Sequence, residues 1–535
     1  MPKIQIQRFS TGLYWLAAAA SALMLGYFIA AQSPTPFEIG ILAAAAILFW
    51  KKPLWGIYVI LFLPVIGELS RIPYLGENGI LLSDLIIALF IGIWLIKKIL
   101  TSEEMQPNIF SKPLLFFSLI GIFSLIQSLL FLKPTDVLSG SFYLVRFIEY
   151  TLLALTIPDL VNSKKQIDHI ILASIISAVL LAIGGFIQLL VYPDLGNLVE
   201  FGWDPHKYRL VSTWLDPNFI GGFLAFMLMI ILAHLLYTKR LNQKILLLIV
   251  ISILGVALFL TYSRSAYIAF AAGLLVLGIL KSRKLIIISI LIAILGLSLS
   301  LRAQQRVGEL TQSITAFITN SSTNADPTAQ LRIQSWNQTL SLIQKRPIFG
   351  SGYNTLRYVK FDEGFVSETD IHSASGSDSS ILTILATTGI LGIIPFLLLY
   401  WQLLKSSFLS WKNKTSPPFK KALGLGLFSG TIALIVHATF VNSLLFPQIM
   451  IFLWIYAGVV NNGILRESIF EGCPLNYLIR NECLLRLRRN LYRWLSRCSG
   501  CCSSCCCSSC CCSSRRRNWR LLYRQTGSSG SAPNI

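Results

Sequence analysis

The chain has 535 residues, of which 54% are hydrophobic and only 13% charged, and its mean hydropathy is +0.66. A soluble protein of that length would need far more charge to cover its surface, so the composition excludes a water-soluble globular enzyme. A net charge of +21 would point a soluble chain towards nucleic acid, but the placement of the charges excludes that partner.

Apolar runs of roughly 17 to 25 residues recur along the chain, long enough to cross a hydrocarbon core of about 30 Å as helices. Spans are predicted at roughly 12–31, 37–50, 54–67, 79–96, 112–132, 141–157, 168–192, 218–237, 245–262, 265–280, 284–301, 379–402, 422–440 and 444–461. The expected fold is an all-α polytopic integral membrane protein of about 14 transmembrane helices. Lys3/Arg8, Lys51/Lys52, Lys97/Lys98, Lys164/Lys165, Lys239/Arg240/Lys244, Lys281/Arg283/Lys284 and the stretch from Lys405 to Lys421 then fall in alternate loops, all on one side. The positive-inside rule makes that side cytoplasmic and places both termini there. The first run follows Lys3 and Arg8 and ends in Ala30-Ala31-Gln32-Ser33, a poor cleavage site, and is read as a retained helix.

Three segments of the opposite, outer face depart from short connections: 193–217, the tight turn Tyr262-Ser263-Arg264-Ser265, and 302–378, the longest loop. Within the last, 327–345 has helical periodicity, with Leu331, Trp336, Leu340 and Ile343 on an apolar side and Arg332 sharing a face with Trp336. Pro347-Ile-Phe-Gly350-Ser-Gly352 reads as a break and turn, and His372 falls just before the span that opens near Ser380. Singly these residues have plain readings: His372 as a solvated loop histidine, Arg264 as a snorkelling side chain, Arg332 as an exposed helix charge, Arg209 as a headgroup contact. Together they put an imidazole and several guanidinia on one face, which suits an anionic, lipid-borne substrate. Arg146 and Glu149, three apart within a span, share a face and can pair; a packing ion pair and a substrate contact both stay open. His437 reads as a hydrogen-bonded interhelical residue. Asp204, Asp216 and Asp378 lie in separate segments without metal-ligand spacing, so no metal and no other cofactor is expected.

All 11 cysteines lie between Cys473 and Cys512, which leaves the membrane body without a thiolate nucleophile or disulfide. The tract CSGCCSSCCCSSCCCSS, followed by Arg515, Arg516 and Arg517, lacks neighbouring histidines and carboxylates and the spacing of a zinc module. It reads as a low-complexity tail with no catalytic role.

Leu260 to Phe270 (LTYSRSAYIAF), the RxxxW of Arg332 to Trp336 with PIFGSGYNT after it, and the run HSxxxxDSSILTILATTGILG from His372 resemble the O-antigen ligase and O-antigen polymerase superfamily. Arg209 to Gly222 (RLVSTWLDPNFIGG) is similar to that family's arginine and proline–asparagine segment ahead of a span. The resemblance covers roughly 200 to 440, and the amino-terminal helices only by topology; the cysteine tail has no counterpart. It implies a GT-C-like, inverting, metal-independent glycosyltransferase in the bacterial inner membrane, working at its periplasmic face. Such enzymes move a glycan from an undecaprenyl diphosphate carrier to an acceptor: a lipid A–core sugar for ligases, another carrier-linked glycan for polymerases. Carried over, His372, Arg264 and Arg332 take the places of the essential histidine and arginines. Arg209, Asp216, Asn218, Trp336 and Arg146 are the expected substrate contacts. The implied partners are a polyprenyl-diphosphate-linked glycan donor, a glycan or lipid-linked acceptor, and membrane lipids. The expected organisation is amino-terminal helices over 1–200, a catalytic membrane region over 201–461 that includes the loop 302–378, and the tail 462–535. A flippase for the same lipid-linked glycans is the rival from another class; it would be expected to carry charge deep in many spans and internal repeats, which the sequence does not display.

Overall fold

The computed structural model describes residues 36–71, 80–103, 107–201, 205–318, 327–367 and 376–462, all within the unit Met1–Ser468. The expected span at 12–31, His372, Asp204 and the tail from 463 onwards lie outside the described residues.

Among the described residues the regular structure is helical. In chain order the helices are α1 (Pro36–Lys51), α2 (Pro53–Ile66), α3 (Leu82–Thr101), α4 (Ser111–Ser128), α5 (Pro134–Leu160), α6 (Lys164–Val191), α7 (Pro217–Tyr237) and α8 (Leu241–Leu260). They continue as α9 (Arg264–Leu280), α10 (Arg283–Leu299), α11 (Leu301–Ile318), α12 (Pro327–Lys345), α13 (Leu356–Asp362), α14 (Ser380–Lys412), α15 (Pro418–His437) and α16 (Pro447–Val460). Every expected span from 37–50 onwards coincides with one of them. Among the described residues, eight stretches are long and apolar enough to cross a membrane: Pro53–Ser70, α4, α5, α6, α7, α8, α14 and α15; Gly40–Lys51, α9 and α16 are shorter apolar helices. The chain is an integral membrane protein, and its exposed apolar side chains, such as Ile287, Leu291 and Leu295 along α10, are those a bilayer would cover.

Local sequence sets the helix starts. Proline occupies the first turn of α2, α5, α7, α15 and α16, where its missing N–H costs nothing. Ser163, Asp216, Ser263 and Ser379 cap the starts of α6, α7, α9 and α14 with side-chain oxygens. At the centre, α7 is buried along most of its length against α8, α9 and α15. Glycines let two of these backbones close up: a Cβ on Gly426 of α15 would come within 2.9 Å of the Ile230 Cα of α7. The wholly buried α16 packs on α5.

One transmembrane helix is broken, and a loop repairs it. Gly389 in α14 has φ 65° and ψ −169°, a conformation that only glycine adopts readily. The turn Pro347–Gly352 docks in that break. Ser351 N and Gly352 N donate to Ala386 O and Thr387 O, both at 3.0 Å, and Ile390 N and Leu391 N donate to Pro347 O and Ile348 O at 2.9 and 3.3 Å. Backbone groups released by the kink are thus satisfied by the loop, as a membrane interior demands. The docking also seats α12 against α14.

The helix expected over 327–345 is present, but its buried side is shifted from the expected one, with Trp336 and Ile343 half-buried. Leu331 and Leu340 are exposed, and Thr339 and Leu342 are buried. Packing on α14 selects the row through Ser335, Thr339 and Leu342, so the helix is rotated from the orientation that hydrophobicity alone predicts.

Candidate functional site

The starts of α7 and α9 and the ends of α8 and α15 meet at one end of the bundle. Between α8 and α9 the chain turns within three residues, with Tyr262 left-handed at φ 48°. Arg209 fastens this turn: its Nε donates to Thr261 O at 2.9 Å and its Nη2 to Tyr262 O at 3.4 Å, while Leu210 N donates to Leu260 O at 2.9 Å. Ser263 then caps α9, and its hydroxyl donates to Asn218 Oδ1 at 2.8 Å, which ties the start of α9 to that of α7. The Ser263 and Ser265 hydroxyls lie 3.1 Å apart, and Ser265 Oγ is 3.3 Å from Nε2 of the fully buried His437 at the end of α15.

Two features make this end electropositive. Arg264 is the first residue of α9, so a guanidinium stands where the helix macrodipole is already positive, an arrangement that costs stability by itself. Its Nη1 is 3.6 Å from the Glu309 carboxylate of α11. Arg332 on α12 acts electrostatically on both Asp216 and His437. Asp216 is the countercharge: it accepts from Asn218 N at 2.6 Å and Phe219 N at 3.2 Å as the cap of α7. Burial pushes its pKa above the ordinary value, against the two amides and the arginines Arg209 and Arg332, which favour the anion. Trp336 lies one turn beyond Arg332, its ring 6.4 Å from that of Phe440, with no hydrogen-bond partner for its buried indole N–H. Arg302 of α11 stacks over Tyr262 at 4.8 Å and donates to Tyr208 O at 2.8 Å, which holds α11 across the α8–α9 turn.

Arg209, Asp216, Asn218, Arg264, Arg332 and Trp336, named from sequence, therefore gather at one end of the bundle. Arg146 belongs to a second polar cluster. Its guanidinium forks onto Asp84 of α3, with Nε 2.8 Å from Oδ1 and Nη2 2.6 Å from Oδ2, and the Tyr150 hydroxyl is 2.8 Å from Asp84 Oδ1 and 2.9 Å from Ser83 Oγ. Helical spacing offered Glu149 as the partner because it sees only neighbours on the same helix; the fork comes from another helix. The geometry is that of an ion pair locking α3 to α5. Ser263 and Ser265 were named from sequence only as part of the turn around Arg264, and Glu309 not at all. A serine before a span and a lone acid in a stretch with two arginines were the available signals.

Two comparisons bear on this arrangement. Residues 249–397 match a family model described as O-antigen ligase, a stretch that runs from within α8 into α14 and holds Arg264, Arg332 and Trp336. No curated protein matches the chain.

Proposed function

With residues 249–397 matched to the O-antigen ligase family as the premise, we propose that this membrane protein transfers a glycan from an undecaprenyl diphosphate carrier to an acceptor hydroxyl. The observation that carries the reading is the convergence of Arg264 and Arg332 with two helix N-termini at one end of the bundle, inside or beside the matched stretch. Backbone amides at helix starts and guanidinium forks are the groups that hold a diphosphate.

In the proposed reaction the acceptor oxygen attacks the anomeric carbon from the face opposite the carrier. The bond between that carbon and the diphosphate oxygen breaks, and its electron pair leaves with the diphosphate. Arg264 and Arg332 stabilise the charge that develops there, without a metal. Glu309 holds Arg264 until the diphosphate replaces it. The acceptor proton passes to His372, which is suited to that task near neutral pH. The products are an inverted glycoside and undecaprenyl diphosphate. Ligase and polymerase chemistry share these steps. Trp336 and Asn218 would contact the glycan, while Arg209 and Asp216 shape the site from behind.

The architecture proposed with this activity is GT-C-like, with about 14 spans in a bacterial inner membrane, both termini cytoplasmic and the site on the periplasmic face. Residues 1–200 form the supporting helices and 201–461 the catalytic region. The test is transfer by the purified protein from a synthetic undecaprenyl-diphosphate glycan, with Arg332→Ala and Arg264→Ala as controls. Loss of transfer in both, at unchanged expression, is expected. Wild-type transfer by both would refute the diphosphate-binding role.

A further inference from the structure

Lys360 on α13 is the one lysine among the largest fully buried side chains of the described structure, at 1% exposure. Its Nζ donates to Ser335 Oγ at 3.1 Å and to the backbone carbonyl of Gly376 at 3.0 Å, and among the described residues no carboxylate stands within ion-pair distance of it. A buried ammonium on two neutral acceptors is an expensive way to fill space; a methionine of similar volume would pack there without desolvating a charge. The two acceptors give the placement its meaning. Ser335 lies one turn from Arg332 on α12 and shares its face. Gly376 leads into α14 and is followed by a pinned residue: Ser377 N donates to Thr383 Oγ1 at 3.1 Å, and Thr383 Oγ1 in turn donates to Asn442 Oδ1 at 3.1 Å.

We propose that Lys360 is a positioning residue for glycan transfer, a strut that holds the arginine-bearing helix α12 at a fixed distance from Gly376 ahead of α14. This rests on the role given above to Arg332. The strut touches neither reacting atom. It acts by keeping the leaving-group cation Arg332 in place relative to the start of α14, where a misplacement of about 1 Å costs on the order of 10²-fold in rate. The charged groups around it are few. Asp378, ahead of α14, acts on it electrostatically and favours its protonated form; Arg357 is one turn back on α13; Arg332 is one turn from Ser335 on α12. Burial is the larger influence and pushes the lysine down to about 8.

The test measures kcat and donor KM for full-length purified Lys360→Met, Lys360→Arg and Ser335→Ala, beside His372→Ala and Arg332→Ala, with thermal unfolding as a check on folding. Lys360→Met should lower kcat about 10- to 100-fold with donor KM nearly unchanged, because distance and not donor binding is altered. Lys360→Arg, which keeps a cationic donor, should recover most of that loss. A merely structural lysine gives a different pattern: lower melting temperature or yield, with wild-type kcat per folded molecule, and that overturns the strut. If Lys360→Met does not fold, Ser335→Ala decides. It removes one of the two acceptors and should lower kcat roughly threefold; wild-type kcat overturns the proposal. Failure of the underlying reading looks different, because His372→Ala and Arg332→Ala would then transfer at the wild-type rate whatever Lys360 does.

Discussion

An arginine at a membrane boundary can hold a phosphate in two ways, as a delocalised fork or as a point charge that happens to lie near a headgroup. The two differ in what lysine can replace. Arg332 acts electrostatically on the half-buried Asp216 and the buried His437, and Arg264 opens a helix against its dipole, so Arg264 at least occupies an electrostatically costly place. If they grip the diphosphate as forks, Arg264→Lys and Arg332→Lys should lose transfer nearly as far as the alanine variants, on the order of 10²-fold or more. Snorkelling would leave the lysine variants near wild type, and initial rates at saturating donor distinguish the two. Lys360 gives a residue-scale test that does not depend on activity. The folded state lowers its pKa from 10.5 to about 8. Below about pH 8 the amine is charged in both states and the folded protein bears the full cost of burying it. Between about 8 and 10.5 the folded state has released the proton and the unfolded state has not, so this component of stability rises with pH. Melting temperature of the detergent-solubilised protein should therefore gain from this group between pH 7.5 and 9.5, and Lys360→Met should lack that gain. At this scale the sequence named six of the residues that the bundle gathers, three because guanidinium groups stand out in an apolar chain and Asp216, Asn218 and Trp336 because the family resemblance pointed to their segments. It could not assign a part to Ser263, Ser265 or Lys360. A serine and a lysine are unremarkable until the fold puts one under a helix start and the other in the interior.

At the scale of elements, the kinked helix α14 and the turn Pro347–Gly352 form one unit. Gly389 and Gly350 both have positive φ, and a Cβ on Gly389 would collide with the Ile348 carbonyl oxygen. Gly389→Ala should therefore cost about 3 kcal/mol or more, from the strained backbone together with the displaced loop, and should lower the melting temperature and the yield of folded protein. A variant as stable as wild type would mean that the loop is not seated in the break. The helices themselves were legible, since their apolar runs leave few other options in a bilayer, and so was the helix over 327–345. The orientation of that helix was not. Periodicity identifies an apolar side, and the dock between the PIFGSG turn and α14, which has no periodic signature, decides which side is buried. The fork of Arg146 onto Asp84 was illegible for the same reason: the two lie 62 residues apart in the chain.

For the whole molecule, the expectations that remain to be tested are orientation and the dispensability of the tail. By the positive-inside rule, the alternation of lysine and arginine between loops leads to the expectation that the site end of the bundle faces away from the cytoplasm. A cysteine introduced near Asn324, in a variant truncated after Gly472 to remove the native cysteines, should react with an impermeant thiol reagent from the periplasmic side. Labelling from the cytoplasm alone would overturn both the orientation and the reaction proposed for that face. The same truncation should leave insertion and glycan transfer intact, because the tail is low-complexity and without apolar periodicity. Inactive but well-expressed protein would show a role for it.

The central claim is that the site end of this bundle displaces a carrier diphosphate with an acceptor hydroxyl, using His372 as the base. It is tested most directly by single-turnover transfer from a synthetic undecaprenyl-diphosphate glycan by purified His372→Ala, beside wild type and His206→Ala. Removing a general base typically costs about 10²- to 10⁴-fold. His372→Ala should lose transfer by that factor while binding the carrier normally, and His206→Ala should keep the wild-type rate. Transfer by His372→Ala at the wild-type rate would contradict the claim.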